Sequence, residues 1–246
     1  MSGHSKWANI KHKKGKVDAI RGKVTTKVSR EITIAVRMGG SDPSGNMRLK
    51  LALQKARENN IPKENIQRAI QKGAGALDGN SYEEINYEGY GPGGVAIMVE
   101  AMTDNRNRTA ADVRHLFSKY GGNLGETGCV SWMFKQKGLF VVEQDEFDEE
   151  ELMLLTLDAG AEDFEATEGE FEITSQPDAF EQVLEELEKN NIKTVVSRIT
   201  MVPETSTSLE GDESVKMMKL IEALEDLDDI QEVYTNFDMP EEDEEE

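Results

Sequence analysis

Eight cations crowd the first 27 residues: Lys6, Lys11, Lys13, Lys14, Lys16, Arg21, Lys23 and Lys27, opposed there only by Asp18. Side chains of this kind settle on phosphates and release condensed counterions, which drives binding that ignores sequence. Trp7, His4 and His12 are interleaved with them and offer planes on which unpaired bases stack. Asn9 adds a group able to hydrogen-bond a base edge or a 2′-hydroxyl. The competing interpretation is a solvated tail whose Trp7 packs on neighbouring helices. The mixture of Trp, His and so many Lys favours nucleic-acid contact.

Asn105-Arg106-Asn107-Arg108-Thr109 forms a second constellation. Arg106 and Arg108 stand beside an expected helix start, where backbone N–H groups also point at anions. The alternative is that both pair with local carboxylates such as Asp104 and Asp112. Gly91-Pro92-Gly93-Gly94 resembles a phosphate cradle only superficially: no Lys-Ser/Thr follows and no helix opens there, so it is read as a tight turn. Catalytic groupings are missing. His4, His12 and His115 with Cys129 lack metal-ligand spacing. A Cys129–His115 thiol pair is conceivable, but Cys129 sits in an apolar, strand-like pattern that predicts burial. No nucleophile elbow, Walker motif or dinucleotide fingerprint occurs. The expectation is a protein that is not an enzyme, with no cofactor, no metal site and no evident small-molecule substrate.

The elements that carry these residues divide the chain by charge. Residues 1–72 hold 17 Lys/Arg against 5 Asp/Glu, a net of +12. Residues 73–246 hold 11 against 44, a net of −33, and together they make the overall −21. A polyanion drawn to the head is repelled by the body, so contact is confined to one end. The single cysteine, Cys129, excludes an internal disulfide and suits a reducing cytoplasm. The chain lacks an apolar run of membrane-spanning length, and no apolar stretch follows the basic start as a secretory signal would require. A cytoplasmic location is expected.

Ser2 to Gly15 shows no apolar period and is read as an extended or mobile arm. From about Val17, Ile20, Val24, Val28, Ile32 and Ala35 recur at helical spacing, ended by Gly39-Gly40. A second helix is expected from about Asn46 to Asn59, and a third begins near Pro62. Gly73 to Gly79 is read as a hinge. Strands are expected at Glu84 to Tyr90 and Val95 to Met102, then a helix capped by Asp104 or Asn105, then a strand from about Cys129 to Lys135. Residues 139–202 read βαββαβ, the ferredoxin-like order. A last helix (Val215–Leu224) and strand (Ile230–Phe237) find no partners there and are expected to return to the middle module. The expected fold class is α+β: a three-helix domain followed by two α/β sandwich domains, one of them ferredoxin-like. The expected boundaries are 1–78 for arm and helices, 79–135 with 205–240 for a discontinuous middle domain, 136–204 for the ferredoxin-like domain, and 241–246 for an acidic tail.

Three blocks then become recognisable: Gly3-His4-Ser5-Lys6-Trp7-Ala8-Asn9-Ile10-Lys11-His12, Asn86-Tyr87-Glu88-Gly89-Tyr90-Gly91-Pro92-Gly93-Gly94 and Asp104-Asn105-Arg106-Asn107-Arg108-Thr109. They closely resemble the YebC/PmpR family, whose eukaryotic relative is the mitochondrial translational activator of cytochrome c oxidase. Arg21-Gly22-Lys23 and Gly121-Gly122-Asn123-Leu124-Gly125 match as well, so the resemblance extends to about Phe237. It implies a cytoplasmic, non-enzymatic protein of three domains around a cleft. It also implies one of two activities: transcriptional regulation by binding promoter DNA, or action at the ribosome where peptide-bond formation stalls, notably at proline runs. On the physics, the second is favoured: a mobile arm meets ribosomal RNA while acidic domains avoid non-specific RNA and face ribosomal proteins. A protein-interaction scaffold is the third class, and loss of function on deleting residues 2–16 would exclude it.

Overall fold

A computed structural model describes residues 21–75, 82–144, 147–167 and 169–238. Three helices come first: α1 (Arg21–Gly39), α2 (Met47–Glu58) and α3 (Lys63–Gly73). Their apolar stripes bury Val28, Ile32, Ala35, Val36, Leu49, Ala52, Ala56, Ile61 and Ala69 in one core, with Val24, Leu53, Ile66 and Ile70 packed against it. Asn46 fixes the corner between α1 and α2. Its Oδ1 accepts the Leu49 N–H at 3.1 Å, a helix N-cap. Its Nδ2 donates to Ala35 O at 2.8 Å and to Gly40 O at 2.9 Å. Pro62 precedes α3, and its carbonyl accepts from Asn65 and Ile66. Of the stretch read as a hinge, Gly73 closes α3 and is buried against α1; residues 76–79 lie outside the described residues.

β1 (Glu83–Tyr90) and β2 (Ala96–Thr103) form an antiparallel hairpin across a 3₁₀ turn at Pro92–Gly94, where Gly93 takes φ +63°. α4 (Arg106–Lys119) follows, capped by Asn105, then the short β3 (Asn123–Leu124). The sheet order is β3-β1-β2-β9, all antiparallel, and its last member β9 (Ile230–Thr235) arrives after the helix α7 (Gly211–Glu225). The late helix and strand therefore do return to the hairpin. β2 is buried along its whole length except at Glu100, as suits a central strand.

β4 (Phe134–Glu143), α5 (Glu149–Asp158), β5 (Ala161–Thr167), β6 (Glu170–Ser175), α6 (Phe180–Lys189) and β7 (Val196–Pro203) give the expected βαββαβ run. The strand order is β5-β6-β4-β7, antiparallel throughout, as the ferredoxin-like fold requires. Phe140 and Phe180 stack with centroids 4.8 Å apart, and Gly138 allows it: a Cβ there would meet Phe180 Cδ2 at 2.8 Å. Two short strands, β8 (Thr207–Ser208) and β10 (Phe237–Asp238), pair in parallel. By packing, the described part of Lys14–Ser131 groups with Leu209–Thr235, and Trp132–Ser208 groups with the described part of Asn236–Glu246.

One expected strand starts late, with only its last two residues, Phe134 and Lys135, in a strand. Residues 129–133 form a bend and a 3₁₀ turn, and the strand begins only at Phe134. Glu88, buried on β1, is the cause. Its carboxylate accepts the N–H of Gly128 at 2.8 Å. It also accepts the N–H of Val130 at 2.9 Å and that of Ser131 at 2.8 Å. A strand would have spent such donors on a ladder. Cys129 is accordingly half-buried in a loop. No helix among the described residues is long and apolar enough to cross a membrane.

Candidate nucleic-acid interface

Lys23, Lys27 and Arg30 recur at intervals of four and three on α1, so they share one face. That face meets the end of α7. Lys23 Nζ donates to Asp226 O at 3.0 Å and to its carboxylate at 3.1 Å, and Lys27 Nζ donates to Glu225 O at 2.7 Å. Arg30 Nη1 donates to Asp228 O (2.6 Å), Met102 O (3.1 Å) and Asp229 Oδ1 (2.9 Å). The last carbonyls of a helix lack internal partners and carry the negative end of its dipole. α7 has no basic residue in its own last turn, so α1 supplies the cations.

Arg108 is similarly occupied. Its Nη2 donates to Asp104 at 3.0 Å and to Asp229 Oδ2 at 2.7 Å. Thr103 and Thr109 hydroxyls donate to the same Asp229 oxygen at 3.1 and 2.8 Å. Burial alone would raise the Asp229 pKa. The bonds from Arg108 and Thr109 and the charges of Arg108 and Arg30 outweigh it and hold the carboxyl below its usual value. Arg106 is exposed and lies 3.5 Å from Glu83. Asp104 therefore does pair with Arg108, whereas Arg106 takes Glu83.

The arm residues His4, Lys6, Trp7, Asn9, Lys11, His12, Lys13, Lys14 and Lys16 fall outside the described residues, as does the side chain of Arg21. On the helices, Arg48 is clamped between Glu31 (2.6 Å) and Glu84 (2.5 Å), and Lys55 pairs with Glu232 at 3.2 Å. Lys50, Arg57, Lys63 and Arg68 form no ion pair among the described residues. The structure thus sorts the cations into an internal set and an outward set.

Part of the outward set borders a cleft between α1 and α3 of about 280 Å³. Thr25, Thr26, Ser29, Arg30 and Thr33 line it from α1, Asn65, Arg68, Ala69 and Lys72 from α3, and Tyr82 lines it as well. None of these is a carboxylate. The Arg30 guanidinium lies 5.1 Å and Lys72 Nζ 4.5 Å from the Tyr82 ring centroid, both within cation–π range. Arg30 Nε is buried without a hydrogen-bond partner. The cleft is not among the features the sequence announces. The available signal was a second periodicity: hydroxyls at 25, 29 and 33 on α1, and polar residues at 65, 68 and 72 on α3.

Burial, and next the charges of Glu88 and Glu126, push the Cys129 thiol pKa up, which suppresses the reactive thiolate. Among the described residues no His/Cys/Asp/Glu group is arranged to hold a metal.

Comparison with known proteins follows the same division of the chain. The family profile described as the TACO1/YebC protein N-terminal domain matches residues 5–76, and that described as the TACO1/YebC second and third domain matches 82–237. A probable transcriptional regulatory protein of Pelotomaculum thermopropionicum is 56% identical over 241 residues, covering 97% of this chain and 99% of that protein. One from Carboxydothermus hydrogenoformans is 55% identical over 242 residues, with 97% and 99% covered. Among solved structures, a conserved hypothetical protein of Aquifex aeolicus superposes with a TM-score of 0.85 at 48% identity, covering 98% of this chain and all of that one.

Proposed function

The chain belongs to the TACO1/YebC family, and we propose that it is a non-enzymatic, nucleic-acid-binding regulator of gene expression. The observation that carries this is the charge segregation, +12 on residues 1–72 against −33 on the remainder. His4, Lys6, Trp7, Asn9, Lys11, His12, Lys13, Lys14, Lys16 and Arg21 make the first contacts. The outward cations of α2 and α3 extend them. Lys23, Lys27, Arg106 and Arg108 join only by exchanging the partners they hold.

The favoured target is the ribosome, where the basic arm meets ribosomal RNA during elongation stalled at proline-rich stretches and the acidic body faces ribosomal proteins. Promoter DNA is the second reading, favoured by the relatives' designation as probable transcriptional regulatory proteins. Crosslinking of the arm in cell extract separates them. Recovery of ribosomal RNA, with co-sedimentation lost on deleting residues 2–16, supports the first. Tight, sequence-selective binding of a promoter fragment at physiological salt, with a log–log salt slope near about −0.9 per phosphate contact, supports the second. Binding and activity untouched by the deletion would overturn both.

A further inference from the structure

We propose that the cleft between α1 and α3 is a phosphate subsite holding one backbone phosphate of a single-stranded nucleic acid. This rests on the nucleic-acid reading above and names where on the folded head a strand is gripped. The cleft is lined by donors: Arg30, Arg68 and Lys72, with Thr25, Thr26, Ser29 and Asn65 around them. In a chain with 49 Asp/Glu against 28 Lys/Arg, a lining with three cations and no carboxylate among the described residues is a local inversion of charge.

Arg30 gives the site its orientation. Three acceptors fix Nη1 on one side of the guanidinium, while Nε, buried, has no acceptor. Arg30 lines the cleft, so a phosphate held there lies beside its guanidinium, and bonds between a guanidinium and a phosphate are charge-assisted. Asp229 already neutralises Arg30, so the attraction comes from Lys72 and from Arg68, which is exposed at the rim and free of ion pairs among the described residues. Tyr82 is engaged by two cations, which makes it a support for Arg30 and Lys72 rather than a platform for a base. The cleft lies at the small end of the size range of ligand pockets. Its volume of about 280 Å³ fits a phosphate with its sugar.

The Nε–H resonance of Arg30 in the full chain reports on the site directly. Inorganic phosphate should shift it. A short oligouridylate should shift it at lower concentration than either inorganic phosphate or a free mononucleotide. The double variant Arg68→Gln with Lys72→Gln should melt as wild type and abolish the shift. It should also weaken oligouridylate binding by about tenfold and flatten the log–log salt slope by about 0.7, the share of one phosphate contact on a single strand. Arg68→Lys with Lys72→Arg should restore most of the affinity. An Arg30 signal unmoved by every probe, or moved equally in the Gln variant, overturns the proposal. A mononucleotide that acts at lower concentration than the oligomer overturns the assignment to a strand. If oligouridylate binding needs residues 2–16 but survives the Gln variant, the functional reading stands and the cleft assignment falls. If the wild type binds no nucleic acid while Arg30 still answers phosphate, the functional reading falls and the strand assignment with it.

Discussion

Asp229 gathers side chains from three elements. Its two oxygens hold Arg30 from α1, Arg108 and Thr109 from α4 and Thr103 from β2. The Arg30–Asp229 pair is nearly enclosed, with side chains 13% and 10% exposed. Removing one partner from such a pair leaves an uncompensated charge, so Asp229→Ala should cost about 3–5 kcal/mol in chemical denaturation. The Asp229 pKa is lowered on folding. Its contribution is therefore complete above the unfolded value of about 3.9 and disappears as pH falls through the folded one. The penalty of the substitution should shrink on acidification below that point. Glu100 has the opposite sign. Burial, then repulsion from Glu232, raises its pKa against the opposing bond from the Tyr234 hydroxyl. Its stabilisation is complete below the unfolded value of about 4.3 and is lost as pH rises through the raised folded value. Glu100→Gln keeps an acceptor for Tyr234 and deletes the charge, so it should gain stability in urea titrations at neutral pH and gain nothing near pH 4. Equal gains at both pH values would show that burial does not penalise this carboxylate.

The helices were legible because each states its own boundary and buried face. Ile32 and Leu49 fall in phase with their neighbours, and Asn46 and Asn105 stand where caps belong. The ferredoxin-like order was readable from strand and helix periods alone, and the return of β9 followed from having no other partner. What escaped was set by distant chemistry. The fate of residues 129–133 depends on Glu88, some 40 positions earlier, and Lys23 caps a helix 203 positions away. Neither relation leaves a local mark. The same distance hid the cleft, since Ser29 and Arg68 become neighbours only when α3 packs on α1. That packing is close at Gly73, where a Cβ would lie 2.5 Å from Thr33 O and 2.8 Å from Val36 Cβ. Helix propensity favours Ala over Gly by up to about 1 kcal/mol, whereas overpacking costs about 1–3 kcal/mol. The clash involves backbone and should dominate, so Gly73→Ala is expected to lower the melting temperature despite its better propensity. A higher melting temperature would mean that α1 and α3 can separate without loss.

For the molecule as a whole, the question is whether specific pairs or net repulsion governs the response to salt. The net charge is −21, which opposes compaction. Most pairs that could offset it are half-exposed: Lys23–Asp226 at 40% and 61%, Lys55–Glu232 at 52% and 22%, Arg106–Glu83 at 68% and 57%. Pairs of that kind contribute about 0–1 kcal/mol and fade in salt, while the enclosed Arg30–Asp229 pair is screened little. Between about 0.01 and about 0.1 M salt the screening length falls from about 30 to about 10 Å, so long-range repulsion is relieved before short contacts are lost. The melting temperature should therefore rise over that range. Deleting residues 2–16 removes five lysines and no acid, taking the net charge from −21 to −26. The rise should then be steeper in the deleted protein, even as its nucleic-acid affinity loses much of its salt dependence. The two slopes move in opposite directions because one charge asymmetry feeds both: the cations that attract phosphate also moderate the repulsion of the acidic body. A melting temperature that falls with salt, or is indifferent to the deletion, would mean that local ion pairs hold this chain together and that its charge segregation has no energetic consequence in the absence of a polyanion.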